Sequence, residues 1–154
     1  MLLNDEVKML QQVPLFAGVS PAKLKLLAFT SERVIYRAGD VLFQQGDIGD
    51  SAVVILSGEA DVVVDGANGP IKVAEMGANA IVGEIAILCD IARTATVIAR
   101  TEIEALRISK ENFLKLLSDF PEMTIEVMRV LAQRLSHTTI ELTEARSLAA
   151  QGGR

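Results

Sequence analysis

Fifteen consecutive residues hold the chemistry this chain can offer. The stretch Gly83-Glu84-Ile85-Ala86-Ile87-Leu88-Cys89-Asp90-Ile91-Ala92-Arg93-Thr94-Ala95-Thr96-Val97 lies between two strand-like runs, where a simple roll of strands needs only a short turn. Gly83 allows a close approach of the backbone. Glu84 to Leu88 can form one helical turn, and the free N–H groups at its start attract an anion. Arg93, nine residues after Glu84, can return to the same spot and offer a bidentate guanidinium to a phosphate. The Glu84 carboxylate can accept a hydrogen bond from a hydroxyl. An anion site, an arginine and a hydroxyl acceptor together suit a sugar phosphate. The competing reading of Glu84 and Arg93 is a structural ion pair. Cys89 reads as a small apolar filler, although its oxidation would perturb the segment.

Three regions must position this stretch. Residues 1–30 read as helical, with Leu2, Leu3, Val7, Met9 and Leu10 at helix-like spacings until Pro14. Ser20-Pro21 then starts a second helix, with Ser20 as N-cap and Leu24, Leu26, Leu27 and Phe29 as its apolar side. Residues 31–108 contain short β-rich runs: Arg33–Tyr36, Val41–Gln44, Ala52–Leu56, Ala60–Val64, Ile71–Glu75, Ala95–Ala99 and Ile103–Ile108. Glycines 39, 46, 49, 58, 66, 69 and 77 divide them, and Gly66-Ala67-Asn68-Gly69 reads as a hairpin connection. Such spacing implies an antiparallel sandwich, roll or barrel. Residues 109–149 are helical again. Ser109 caps a short helix bearing Phe113, Leu114, Leu116 and Leu117, and Pro121 opens a long one. In the long helix Met128, Leu131, Leu135, Thr138, Leu142, Ala145 and Ala149 form a heptad seam. That seam fits a dimer, with Val127 and Val130 as a second stripe for the sheet; the alternative is a helix lying on its own sheet. The tail from Gln151 to Arg154 is expected to fray.

Composition narrows the function. The chain has 154 residues, 15 Lys plus Arg against 20 Asp plus Glu, and a net charge of −5. This balance argues against a general nucleic-acid binder, which needs a basic face. One cysteine excludes an intramolecular disulfide framework, and one histidine excludes multi-His metal sites. No apolar run approaches the roughly 18 residues of a membrane span. Met1 to Glu6 carries two carboxylates and no basic region, unlike a secretory signal. The expectation is a soluble, cytoplasmic protein without a metal, a cofactor or catalytic residues.

At Gly83-Glu84-Ile85-Ala86 and Arg93-Thr94-Ala95-Thr96-Val97 the sequence resembles the phosphate-binding cassette of the cyclic nucleotide-binding domain family. Gly39-Asp40, Gly46-Asp47, Gly49-Asp50 and Gly58 resemble the turns of that family's β-roll, and the likeness extends over about residues 14–145. The fold implied is α+β: an antiparallel β-roll (a double-stranded β-helix or jelly roll) flanked by N-terminal helices and a long C-terminal helix. Residues 1–154 would form a single domain, with the helices in 1–30, the roll in 31–108, the cassette in 82–97 and the C-terminal helices in 109–149. The ligand implied is cAMP or cGMP. Glu84 would bind the ribose 2′-hydroxyl and Arg93 the cyclic phosphate. The N–H groups of Ile85, Ala86 and Thr94 would complete the cradle around Gly83. Val82, Asn79 and Ala92 depart from residues frequent in the family, yet none removes a ligand-contacting group, and Asn79 tolerates left-handed geometry.

The Thr94 hydroxyl permits a guanine base without excluding adenine. Gln133-Arg134-Leu135 followed by Thr138-Thr139 resembles the dimerisation helix of the bacterial cAMP receptor protein. Thr138 and Thr139 would there meet the base, one from each subunit; the alternative is that Thr138 back-bonds to its own helix. His137 reads as a solvated helix-surface residue, and Asp47 and Asp50 as turn caps. The resulting expectation is a cyclic-nucleotide sensor that signals by rearranging its C-terminal helices to an unknown effector protein. Its rivals are an interaction module with a non-binding pocket and a fragment of a DNA-binding regulator. No second helix-turn-helix unit follows the long helix, so the chain is expected to act through a partner or by buffering the nucleotide.

Overall fold

A computed structural model describes residues 2–152. Met1, Gly153 and Arg154 lie outside the described residues, as do the side chains of Leu2, Leu3, Asn4, Leu15, Ala150 and Gln151. The chain runs α1 (Leu2–Gln11), a 3₁₀ turn (Pro14–Phe16) and α2 (Pro21–Thr30), then β1 (Glu32–Tyr36), β2 (Val41–Phe43), β3 (Ser51–Ser57), β4 (Ala60–Gly66), β5 (Gly69–Met76) and β6 (Ile81–Val82). It continues through α3 (Glu84–Leu88), β7 (Thr96–Ala99), β8 (Ile103–Ser109), α4 (Lys110–Asp119) and α5 (Pro121–Gly152).

Two four-stranded antiparallel sheets form, in the orders β1-β8-β3-β6 and β2-β7-β4-β5. The period-2 alternation of side chains explains why β3 is buried from Ser51 to Leu56. Val53 and Ile55 face the core between the sheets, whereas Ala52, Val54 and Leu56 pack against the helices. β8 divides likewise, with Ile103 and Ala105 inside and Leu106 and Ile108 toward the helices. The helical layer inserts Leu10, Phe16, Leu24, Phe113 and Met123, each at most 1% exposed. Burying such side chains contributes about 1.5–3 kcal/mol apiece, so this layer fixes where the C-terminal helices begin.

The local signals hold where their physics is local. Ser20 accepts a hydrogen bond from the Lys23 N–H at 3.4 Å, and Ser109 from that of Asn112 at 3.2 Å. Ala67-Asn68 links β4 to β5. Four readings need correction. The apolar side of α2 is Leu24, Leu27 and Ala28, while Leu26 and Phe29 are 54% and 75% exposed. Positions 24, 27 and 28 share one helical stripe, and 26 and 29 are turned away from it. Pro14 ends nothing; it opens the 3₁₀ turn. Cys89 is exposed rather than filling the core. Gln151 and Gly152 continue α5.

Candidate functional site

The cassette hangs between β6 and β7. Gly83 sits at its corner in the left-handed region, with φ 90°. A Cβ there would lie 2.7 Å from Arg93 Nη1 and 2.9 Å from Phe43 Cε2, so both backbone shape and space require glycine. Asn79 is also left-handed, at φ 72°, in the turn before β6. The glycine turn at Gly49 packs against α3, where an added Cβ would meet that of Ala86 at 2.3 Å. The first turn of α3 presents the N–H groups of Ile85 and Ala86, which lack intrahelical partners by position.

Arg93 is 5% exposed. Its Nη1 donates to the Gly83 carbonyl at 2.9 Å and its Nη2 to the Ser51 carbonyl at 2.7 Å. The guanidinium lies over the Phe43 ring, 3.8 Å from the centroid. Asp50 Oδ1 stands 3.8 Å from Nη2. Burial lowers the Arg93 pKa; Asp50 opposes the shift and Arg107 adds to it. Two carbonyls, a ring face and a carboxylate thus hold this cation at a fixed place between the sheets. They use two of a guanidinium's five N–H donors.

Glu84 is 2% exposed and does not pair with Arg93. Its ionic contact comes from α5, where Arg134 Nη1 reaches Glu84 Oε1. Arg134 Nη2 also donates to the Ile81 carbonyl at 3.1 Å. Burial raises the Glu84 pKa, and Arg134 is the largest opposing influence.

These groups surround one cavity of ≈ 250 Å³. Gly83, Glu84, Ile85, Ala86, Arg93 and Thr94 form its polar wall, Phe43, Val62, Met76 and Val97 line it with apolar surface, and Arg134 and Thr138 close it from α5. Thr139 is turned away, and its hydroxyl donates to the Leu135 carbonyl at 2.9 Å. Back-bonding therefore occurs one residue later than the alternative reading placed it. Arg134 is the site residue that sequence reasoning passed over. His137 is exposed, 3.0 Å from Glu141. Among the described residues, no group of three or more His, Cys, Asp or Glu could hold a metal ion. No helix among them is long and apolar enough to cross a membrane.

The geometry defines a β-roll with a cavity of ≈ 250 Å³ under a helix, and comparison with known proteins names its class. The model of the cyclic nucleotide-binding domain matches residues 33–120, and the chain belongs to that family. The cAMP-dependent protein kinase regulatory subunit of Aspergillus niger is 32% identical over 108 residues, covering 70% of this chain and 26% of the relative. The chain thus spans about a quarter of that subunit's length. A cyclic nucleotide-binding-like protein from Brucella abortus is 35% identical, with a TM-score of 0.63 over 74% of this chain and 98% of that one. The catabolite activator protein of Thermus thermophilus is 28% identical, with a TM-score of 0.75 over 84% of this chain and 61% of that one.

Proposed function

We propose that residues 1–154 act as one non-catalytic regulatory domain that binds cAMP or cGMP in the ≈ 250 Å³ cavity. The observation that carries this reading is the placement of the Gly83–Ala86 backbone, Glu84, Arg93 and Thr94 on one cavity wall, with α5 across from them. Arg93 meets the single negative charge of the cyclic phosphate, with the N–H groups of Ile85, Ala86 and Thr94 around it. Glu84 accepts from the ribose 2′-hydroxyl. Thr138 faces the base, and Thr139, turned away from its own cavity, serves the site of a second copy.

The response follows from competition at Glu84. A 2′-hydroxyl and the Arg134 guanidinium both seek this buried carboxylate, so the nucleotide shifts α5 between arrangements according to its differential affinity for them. The output is a rearranged C-terminal helix in a cytoplasmic homodimer, read by an effector protein not yet identified.

Calorimetric titration with cAMP and cGMP, with solution mass measured before and after, tests the reading. Wild type should bind at least one nucleotide. Arg93→Ala should retain the fold and lose about 100-fold or more in affinity, the equivalent of about 2–3 kcal/mol for a charged hydrogen bond withdrawn from a buried phosphate. Unchanged binding by Arg93→Ala would refute the assignment. A second reading, an interaction module whose pocket α5 seals, is favoured by the Arg134 contacts to Glu84 and Ile81. It predicts no thermal stabilisation by millimolar cAMP or cGMP.

A further inference from the structure

Behind Arg93 lies a second cavity, of ≈ 270 Å³. It shares Phe43 and Arg93 with the first, so these two side chains form the wall between them. Its other polar lining is Gln44, Asp47, Asp50, Ser51 and Arg107.

Arg107 is unusual for its place. It stands on β8 two residues after Ala105, on the face that Ile103 and Ala105 bury between the sheets. Its Nη2 donates to the Tyr36 hydroxyl at 2.9 Å, and its buried Nε has no hydrogen-bond partner. Among the described residues, no carboxylate oxygen lies within 4.0 Å of it. Glu32, opposite it on β1, is exposed and makes no ion pair with it. Across the cavity, Asp50 is already engaged by Arg93 at 3.8 Å, whereas Asp47 has no cation within 4.0 Å among the described residues.

One cavity thus presents, on its β8 side, a cation with no ion-pair partner and, on the turn before β3, an exposed carboxylate that acts on Arg93 only from beyond 4.0 Å. A simple anion would meet two carboxylates, and a simple cation two guanidinium groups. A molecule with both charges meets a partner for each. We propose that this second cavity binds a small amino-acid-like zwitterion, its carboxylate on Arg107 and its ammonium at Asp47. Through Arg93 and Phe43 the occupant then alters nucleotide affinity in the first cavity; this last step alone rests on the function proposed above.

The test uses the full chain without nucleotide, titrated with glycine, L-alanine and 4-aminobutyrate by calorimetry and by NMR chemical-shift mapping. Acetate and methylammonium serve as the single-charge arms. At least one zwitterion should bind saturably, tenfold or more tightly than either single-charge probe, with shifts at Gln44, Ser51 and Arg107. Arg107→Gln, which keeps a donor for Tyr36, and Asp47→Asn, at an exposed turn, should each weaken that binding tenfold or more. Binding of acetate equal to that of every zwitterion, or zwitterion binding unchanged by Asp47→Asn, overturns the site. Should Arg107→Gln fail to fold, Asp47→Asn decides alone. A zwitterion that binds the nucleotide-free chain yet leaves cAMP and cGMP affinity unchanged overturns the coupling.

Discussion

The Glu84–Arg134 contact permits a quantitative test, because its two partners differ in burial. The Glu84 side chain is 3% exposed and that of Arg134 is 31% exposed. Removing one partner of a fully buried ion pair costs about 3–5 kcal/mol, because the other charge is stranded. Because Arg134 reaches the surface, its removal opens a path for water to the stranded Glu84, so the loss on Arg134→Ala should fall to about 1–2 kcal/mol. With a urea slope of roughly 2 kcal/mol per molar, the unfolding midpoint should drop by about 0.5–1 M. Glu84→Gln removes the charge in need of a partner, so adding Arg134→Ala to it should cost little. The double-mutant cycle should therefore return a coupling of about 1 kcal/mol or more. The pH dependence has a definite sign. Burial holds the Glu84 pKa above its ordinary value, so near that range the folded state binds more protons than the unfolded state. Its contribution to stability is full below the ordinary carboxylate value and is lost as pH rises through the folded value. Arg134 opposes that shift, so in Arg134→Ala the loss should extend to higher pH. Additive single variants, within about 0.3–0.5 kcal/mol, or an unchanged pH profile would refute the argument.

Two further predictions concern other parts of the machinery. Gly83→Ala should lose about 2–4 kcal/mol in urea unfolding, combining about 1–2 for the left-handed backbone with the displacement of Phe43 or Arg93, and nucleotide affinity should fall with it. Leu135→Glu should leave the fold intact, because Leu135 is 68% exposed, and should give a monomer by sedimentation where the proposed reading expects a wild-type dimer. A wild type that is monomeric at high micromolar concentration would remove the seam from the mechanism.

What the sequence could reveal depended on the range of the interactions involved. Gly83 declares itself because its conformation is its own property, and the caps at Ser20 and Ser109 are bonds to residues three positions away. β6 escaped notice because two residues carry no period. Arg134 escaped because it meets Glu84 from 50 residues away, and its one local signal was its position a helical turn before Thr138. Arg93 stood out in the sequence as a candidate for a phosphate, but its seat on Phe43 and the Ser51 carbonyl did not, since only strand pairing brings these together. Leu26 and Phe29 misled because leucine and phenylalanine count as apolar wherever they stand, and burial in α2 follows the stripe.

The layout of α5 explains how one contact could carry a signal. Near its start Met123 and Val127 are 1% and 5% exposed, and Leu131 still packs on the core. From Leu135 to Ala149 every described residue is exposed. Arg134 thus stands at the boundary between the anchored and unanchored parts of the helix. Its bonds to Glu84 and Ile81 join that boundary to the cassette. At 3.6 residues per turn, Arg134 and Thr138 lie on one face, and Leu135 is about 100° around from Arg134. Thr138, three residues after Leu135, belongs to both the cavity lining and the heptad stripe. A rotation of α5 that releases Glu84 to a ribose hydroxyl must therefore re-aim Leu135 and Leu142 by the same angle. On the proposed reading, binding and dimer geometry are coupled because they share one rigid helix, and no longer chain of side chains is needed between them.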